Sequence, residues 1–93
     1  MAGCDGRCVL EIYVAGNCFG CATAREMAAC LRARTRPDLD VRLIDLAAPG
    51  AVRPPAVFAV PTYLLDGRVL SLGNPEAAWL RDRLGLPAPD LPA

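Results

Sequence analysis

Val9-Leu10-Glu11-Ile12-Tyr13-Val14-Ala15-Gly16-Asn17-Cys18-Phe19-Gly20-Cys21 passes from an apolar stretch, through a Gly-Asn break, to two cysteines in C-x-x-C spacing. Val9 to Ala15 reads as a largely buried strand, because β-branched and aromatic residues fill it and turn formers close it. From Cys21 to Arg34 the composition changes to Ala, Met, Leu, Arg and Glu. Ala24, Met27, Ala28 and Leu31 recur at i, i+3, i+4 and i+7, the spacing of one helical face. The Cys18-Phe19-Gly20-Cys21 segment therefore stands where a strand hands over to a helix N-terminus. Unpaired N–H groups and the positive end of the helix dipole favour a thiolate there, so Cys18 is the expected nucleophile. The spacing brings the Cys21 sulfur within reach of Cys18, and the pair reads as a reversible dithiol.

Beyond this unit, Thr35-Arg36-Pro37-Asp38 stops the helix, since Pro37 disfavours helical geometry at Arg36. A second strand is expected over Val41 to Leu46. In Ala47 to Ala59, Pro49-Gly50 marks a turn, and Pro54-Pro55 suits the first positions of a helix of one or two turns. Val60 to Leu65 and Arg68 to Leu72 flank Asp66-Gly67, a dipeptide preferred in two-residue hairpins. Gly73-Asn74-Pro75-Glu76 offers an Asn cap and a Pro at the first helical position for a helix over Ala77 to Leu84, with Gly85 as its stop. A β-α-β unit followed by a hairpin predicts an α/β fold whose four-stranded mixed sheet carries helices on both faces. Residues 1–7 are expected to form a flexible N-terminal segment, residues 8–85 the domain, and residues 86–93 a Pro-rich tail.

With 93 residues the chain has room for one apolar core, and 54% hydrophobic content supplies it. Ten Arg balance ten acids without a basic cluster, which argues against nucleic acid as a partner. Histidine is absent, so the usual general base and the commonest neutral metal ligand are missing. Asp5, Arg7 and Glu11 interrupt the N-terminal region, which reads as neither signal peptide nor membrane span, and a cytoplasmic location is expected. In a reducing compartment five cysteines argue for catalysis, metal binding or burial rather than a disulfide framework.

Together, Cys18-Phe19-Gly20-Cys21 between first strand and first helix, Val60-Pro61-Thr62 opening the hairpin and Asp66-Gly67 as its turn resemble the thioredoxin/glutaredoxin superfamily, over Cys8 to Leu84. The resemblance implies a thioredoxin-like fold with a cis Val60-Pro61 bond facing the dithiol. It further implies thiol–disulfide exchange in which Cys18 attacks and Cys21 resolves, with a protein disulfide as substrate, a recycling reductase and no cofactor. Substrate would dock against Phe19, Gly20, Val60, Pro61 and Thr62. Phe19 is an apolar residue in an exposed loop and reads as part of that surface. The chain departs from the family in its Phe-Gly dipeptide between the cysteines, in lacking a Trp before Cys18, and in carrying Ile12 near the position of a thioredoxin's buried acid. It also lacks the basic residue and the Gly-Gly-Asp-like segment with which glutaredoxins hold glutathione, so glutathione is not an expected partner. The compact form is most similar to the small redoxins.

Two readings compete with catalysis. Cys4, Cys8, Cys18 and Cys21 provide four thiolates for zinc, with an iron–sulfur cluster shared between two copies as a variant of the same reading. A thioredoxin-like frame can also serve as a non-catalytic interaction module. Elsewhere, Cys30 is expected to be buried as a small hydrophobe, Tyr13 and Tyr63 to be core or sheet residues, and Trp79 to anchor the last helix. Arg25 is expected on a solvated helix face, with a positive field on the thiolate as the alternative.

Overall fold

The computed structural model describes residues 8–16, 18, 20–34 and 39–85. The expected N-terminal segment with Cys4, the helix stop at 35–38, the tail 86–93, Asn17 and Phe19 lie outside the described residues. The elements are β1 (Cys8–Val14), α1 (Cys21–Arg34), β2 (Leu39–Asp45), β3 (Thr62–Leu65), β4 (Arg68–Leu72) and α2 (Ala77–Leu84). The fold is α/β, a four-stranded mixed sheet in the order β2-β1-β3-β4 with two helices among the described residues. β1 runs parallel to β2 and antiparallel to β3, and β3 is antiparallel to β4.

Strand alternation divides the core. Cys8, Leu10, Ile12 and Val14 of β1 face one side with Val41 and Leu43, which lie opposite Leu10 and Ile12, and with Tyr63, which lies opposite Ile12 on β3. Ala24, Met27, Ala28 and Leu31, the stripe read from the periodicity, pack into this cluster, and so do Leu80 and Leu84 of α2. Both helices therefore bury their apolar stripes in the core of one sheet face. On the other face, Tyr13 and Leu64 are covered by Val57, with Ala56, Leu46, Ile44 and Val60 around them.

The expectation of helices on both faces is thus corrected. The stretch from Leu46 to Val60 covers the second face without a helix, through turns such as Ala51 N–H to the Ala48 carbonyl and Val57 N–H to the Pro54 carbonyl. Pro54 and Pro55 lack N–H donors, and Pro61 disfavours helical geometry at Val60. The five residues left between the prolines are too few to recover the cost of nucleating a helix.

The other elements follow their local signals closely. β3 begins at Thr62 rather than Val60, in keeping with the missing N–H of Pro61. Asp66 and Gly67 both have positive φ, 52° and 85°, as a twist-matched two-residue turn requires. Gly85 ends α2 in the left-handed conformation, its N–H directed to the carbonyls of Arg81 and Asp82. The start of α2 differs from expectation: Glu76 is the N-cap residue without a side-chain bond, and Asn74 is engaged elsewhere. Trp79 also departs from its expected role, being 42% exposed with the Arg83 guanidinium 5.7 Å from its ring centre, while Leu80 and Leu84 anchor the helix. Cys30 is a half-buried free thiol rather than a core residue. Among the described residues, no helix is long and apolar enough to cross a membrane.

Candidate functional site

The cysteines meet at the C-terminal end of β1. After Val14 the chain turns, with Cys18 N–H donating to the Ala15 carbonyl and Cys21 N–H to the Cys18 carbonyl at 3.0 Å. Gly20 makes the final bend with φ of 86°, a conformation that favours glycine. Its carbonyl accepts the Ala24 N–H at 3.1 Å, and so begins the hydrogen bonding of α1. This turn sets the Cys18 and Cys21 Cα atoms 5.2 Å apart, within the usual span, and the two are joined as a disulfide. Cys18 is half-buried and Cys21 is fully buried. Cys18 is therefore the more accessible of the two.

Side chains from distant elements hold both ends of this loop. At its start, Asp45 at the end of β2 accepts the Gly16 N–H through Oδ1 at 3.0 Å, and the same oxygen accepts the Ala47 N–H at 2.9 Å. Arg25 of α1 donates through Nη1 to the Gly16 carbonyl and through Nη2 to Asp45 Oδ2, each at 2.9 Å. Hydrogen bonds from the Gly16 and Ala47 amides, and then the Arg25 charge, hold the Asp45 carboxyl below its ordinary value. At the other end, Asn74 Nδ2 donates to the Gly20 carbonyl at 2.8 Å, and the Tyr63 hydroxyl donates to Asn74 Oδ1 at 2.9 Å. Burial pushes the Tyr63 phenol well above its ordinary value, so it remains a donor.

Pro61 completes the site. The Val60–Pro61 bond is cis, the isomer that the resemblance implies. Its ring lies over the dithiol loop, since a Cβ on Gly20 would stand 3.7 Å from Pro61 Cδ and 3.2 Å from Asn74 Nδ2. The Pro61 carbonyl accepts the Gly73 N–H at 2.8 Å, so Gly73 and Asn74, adjacent in the chain, hold Pro61 and Gly20 respectively. Of the expected docking residues, Val60 is half-buried and borders both core clusters, while Pro61 is buried with its ring toward Gly20. Thr62 is turned into the fold, its hydroxyl donating to the Ala59 carbonyl at 2.6 Å. Phe19 lies outside the described residues. Phe58, three residues before Pro61, is 70% exposed.

The four-thiolate reading does not fit this arrangement. Cys8 opens β1 and the dithiol follows its other end, so a strand of seven residues, about 20 Å of rise, separates them. Cys8 is itself disulfide-bonded and fully buried. Among the described residues, no group of three or more His, Cys, Asp and Glu could hold a metal ion.

The fold brings Cys18, Cys21, Gly20 and Pro61 together. Asn74, Tyr63 and Asp45 as loop anchors, and the two bonds of Arg25, were not legible in the sequence. The available signals were an Asn before a Pro that could cap locally or reach elsewhere, and an Asp at the carboxyl end of a strand beside the dithiol. The chain matches no protein-family model and no curated protein.

Proposed function

We propose that this chain is a thioredoxin-like thiol–disulfide oxidoreductase acting on a protein disulfide and restored by a reductase. The observation that carries the reading is the Cys18–Cys21 disulfide before α1, with Cys18 partly open to solvent, Cys21 buried and Pro61 over the loop. The strand order, with β1 parallel to β2 and a hairpin following Pro61, supports it. The missing middle helix marks a reduced version of the pattern.

In the reductive direction, the Cys18 thiolate attacks one sulfur of the substrate disulfide, and the other substrate sulfur leaves as a thiolate that takes up a proton. Donors at the α1 N-terminus stabilise the attacking thiolate. Cys21, as thiolate, then attacks the Cys18 sulfur of the mixed disulfide. The second substrate sulfur leaves and is protonated, and the Cys18–Cys21 bond forms. Two electrons pass to the substrate, and the reductase returns them by the reverse exchange. Val60 and Pro61, beside the loop, form the surface on which the substrate chain docks.

The test is reduction of insulin disulfides by the protein recycled with dithiothreitol. Cys18→Ser abolishes the protein-dependent rate, and Cys21→Ser accumulates mixed disulfides detectable by mass, because no resolving thiol remains. Equal rates for Cys18→Ser and the natural protein overturn the reading.

A further inference from the structure

Gly20 lies between the two cysteines and has no side chain of its own to hold it, yet its carbonyl accepts two hydrogen bonds. One is the Ala24 N–H at 3.1 Å, which belongs to α1. The other comes from Asn74 Nδ2 at 2.8 Å, on a segment 54 residues away in sequence. A carbonyl oxygen only accepts, so the amide must turn its NH2 toward Gly20 and its oxygen toward Tyr63. Tyr63 is 0% exposed and lies between β1 and β4 in the sheet, so its hydroxyl is a fixed donor to that oxygen. Phenol, amide and carbonyl thus form a directional chain from the sheet to the dithiol loop. Asn74 would ordinarily cap the following helix, but α2 begins without a side-chain cap.

We propose that Asn74, oriented by Tyr63, is a positioning residue for the dithiol, pinning the Gly20 carbonyl so that reduced Cys21 stays beside Cys18 and the pair closes readily into its disulfide. The proposal rests on the oxidoreductase reading for its consequence in turnover, whereas ring closure is a property of the protein itself. The direction follows from conformational freedom. In the disulfide, the covalent ring already confines residues 18 to 21. In the dithiol, only the hydrogen bonds of the loop do so, among them Cys21 N–H to the Cys18 carbonyl. Loss of the Asn74 bond therefore frees the dithiol more than the disulfide, and the effective concentration of one thiol at the other falls.

The experiment is equilibration of the protein with glutathione buffers, with the Cys18–Cys21 state read by thiol trapping and mass mapping. Asn74→Ala lowers the equilibrium constant for closing the disulfide about tenfold, a potential change of about 30 mV toward easier reduction. Asn74→Asp keeps the shape and the acceptor for Tyr63 but turns an oxygen toward the Gly20 carbonyl, and lowers the constant at least as far. Tyr63→Phe lowers it less, and adds nothing in the Asn74→Ala background, since the hydroxyl acts only through the amide. Circular dichroism on each variant confirms the fold, and Asn74→Asp carries the test if Asn74→Ala does not fold. A constant within twofold of the natural protein in a folded Asn74 variant overturns the proposal. So does a Tyr63→Phe effect of equal size in both backgrounds. If the constant shifts as expected but insulin is not reduced, the positioning role stands and the oxidoreductase reading falls.

Discussion

Gly20 satisfies two demands that no other residue meets together. Its φ of 86° lies in the region that costs an L-residue about 1–3 kcal/mol. A methyl group there would also stand 3.2 Å from Asn74 Nδ2, an atom fixed in place by the Tyr63 hydroxyl. Gly20→Ala is therefore expected to destabilise the protein by about 1–3 kcal/mol in urea unfolding. Cys18 and Cys21 differ by the same local logic: the turn leaves Cys18 at the mouth of the helix, and the first residue of α1 carries Cys21 into the core. The proposed roles of attacking and resolving thiol thus rest on position in the turn.

At the scale of elements, α2 shows where packing energy resides. Its exposed face carries Trp79 and Arg83 in cation–π contact, and its buried face carries Leu80 and Leu84 against the cluster that also holds the α1 stripe. Leu80→Ala removes a fully buried side chain and is expected to cost about 2–5 kcal/mol in urea unfolding. Trp79→Ala loses a surface contact worth about 0.5–1 kcal/mol and leaves the unfolding midpoint close to that of the natural protein. Equal losses from the two substitutions would show that the aromatic ring, as its size suggests from sequence alone, is the true anchor. The 46–60 segment makes the complementary point, because Val57 seals the second sheet face from within a run of turns. An apolar residue at the right place covers a sheet without helical structure around it.

Across the whole molecule, the dithiol loop is where four parts of the chain converge: β1 runs into it, α1 leaves it, and β2 and the segment after β4 hold its ends. Asp45 joins β2 to this assembly as a carboxylate, and pH therefore acts on it. Its carboxyl is held below the ordinary value of 3.8 in the folded protein by the Gly16 and Ala47 amides and then by Arg25. A lowered folded value means that the carboxylate contributes stability in full above about pH 3.8, and that this contribution is lost as pH falls through the folded value. Asp45→Asn is expected to unfold at lower urea concentration than the natural protein at neutral pH, and the gap between the two should close below that range. A gap that stays constant down to pH 2 would assign the role of Asp45 to its shape rather than its charge.

Periodicity and turn chemistry alone determined α1 over Cys21–Arg34, the Asp66-Gly67 hairpin, α2 with its Gly85 stop, and the place of the dithiol between strand and helix. These signals are legible because each acts between residues a few positions apart, where φ preference and i, i+4 neighbours decide the outcome. Only the tertiary structure decided that both helices bury their apolar residues on one side of the sheet and that a helix-free segment covers the other. It likewise decided the choices of Asn74, Asp45 and Arg25. Each could have satisfied its hydrogen bonds locally, as a cap, a strand-end acceptor or a solvated cation. A polar side chain takes whichever partner the fold brings within about 3 Å, and a partner 20, 29 or 54 residues away leaves no trace in local sequence.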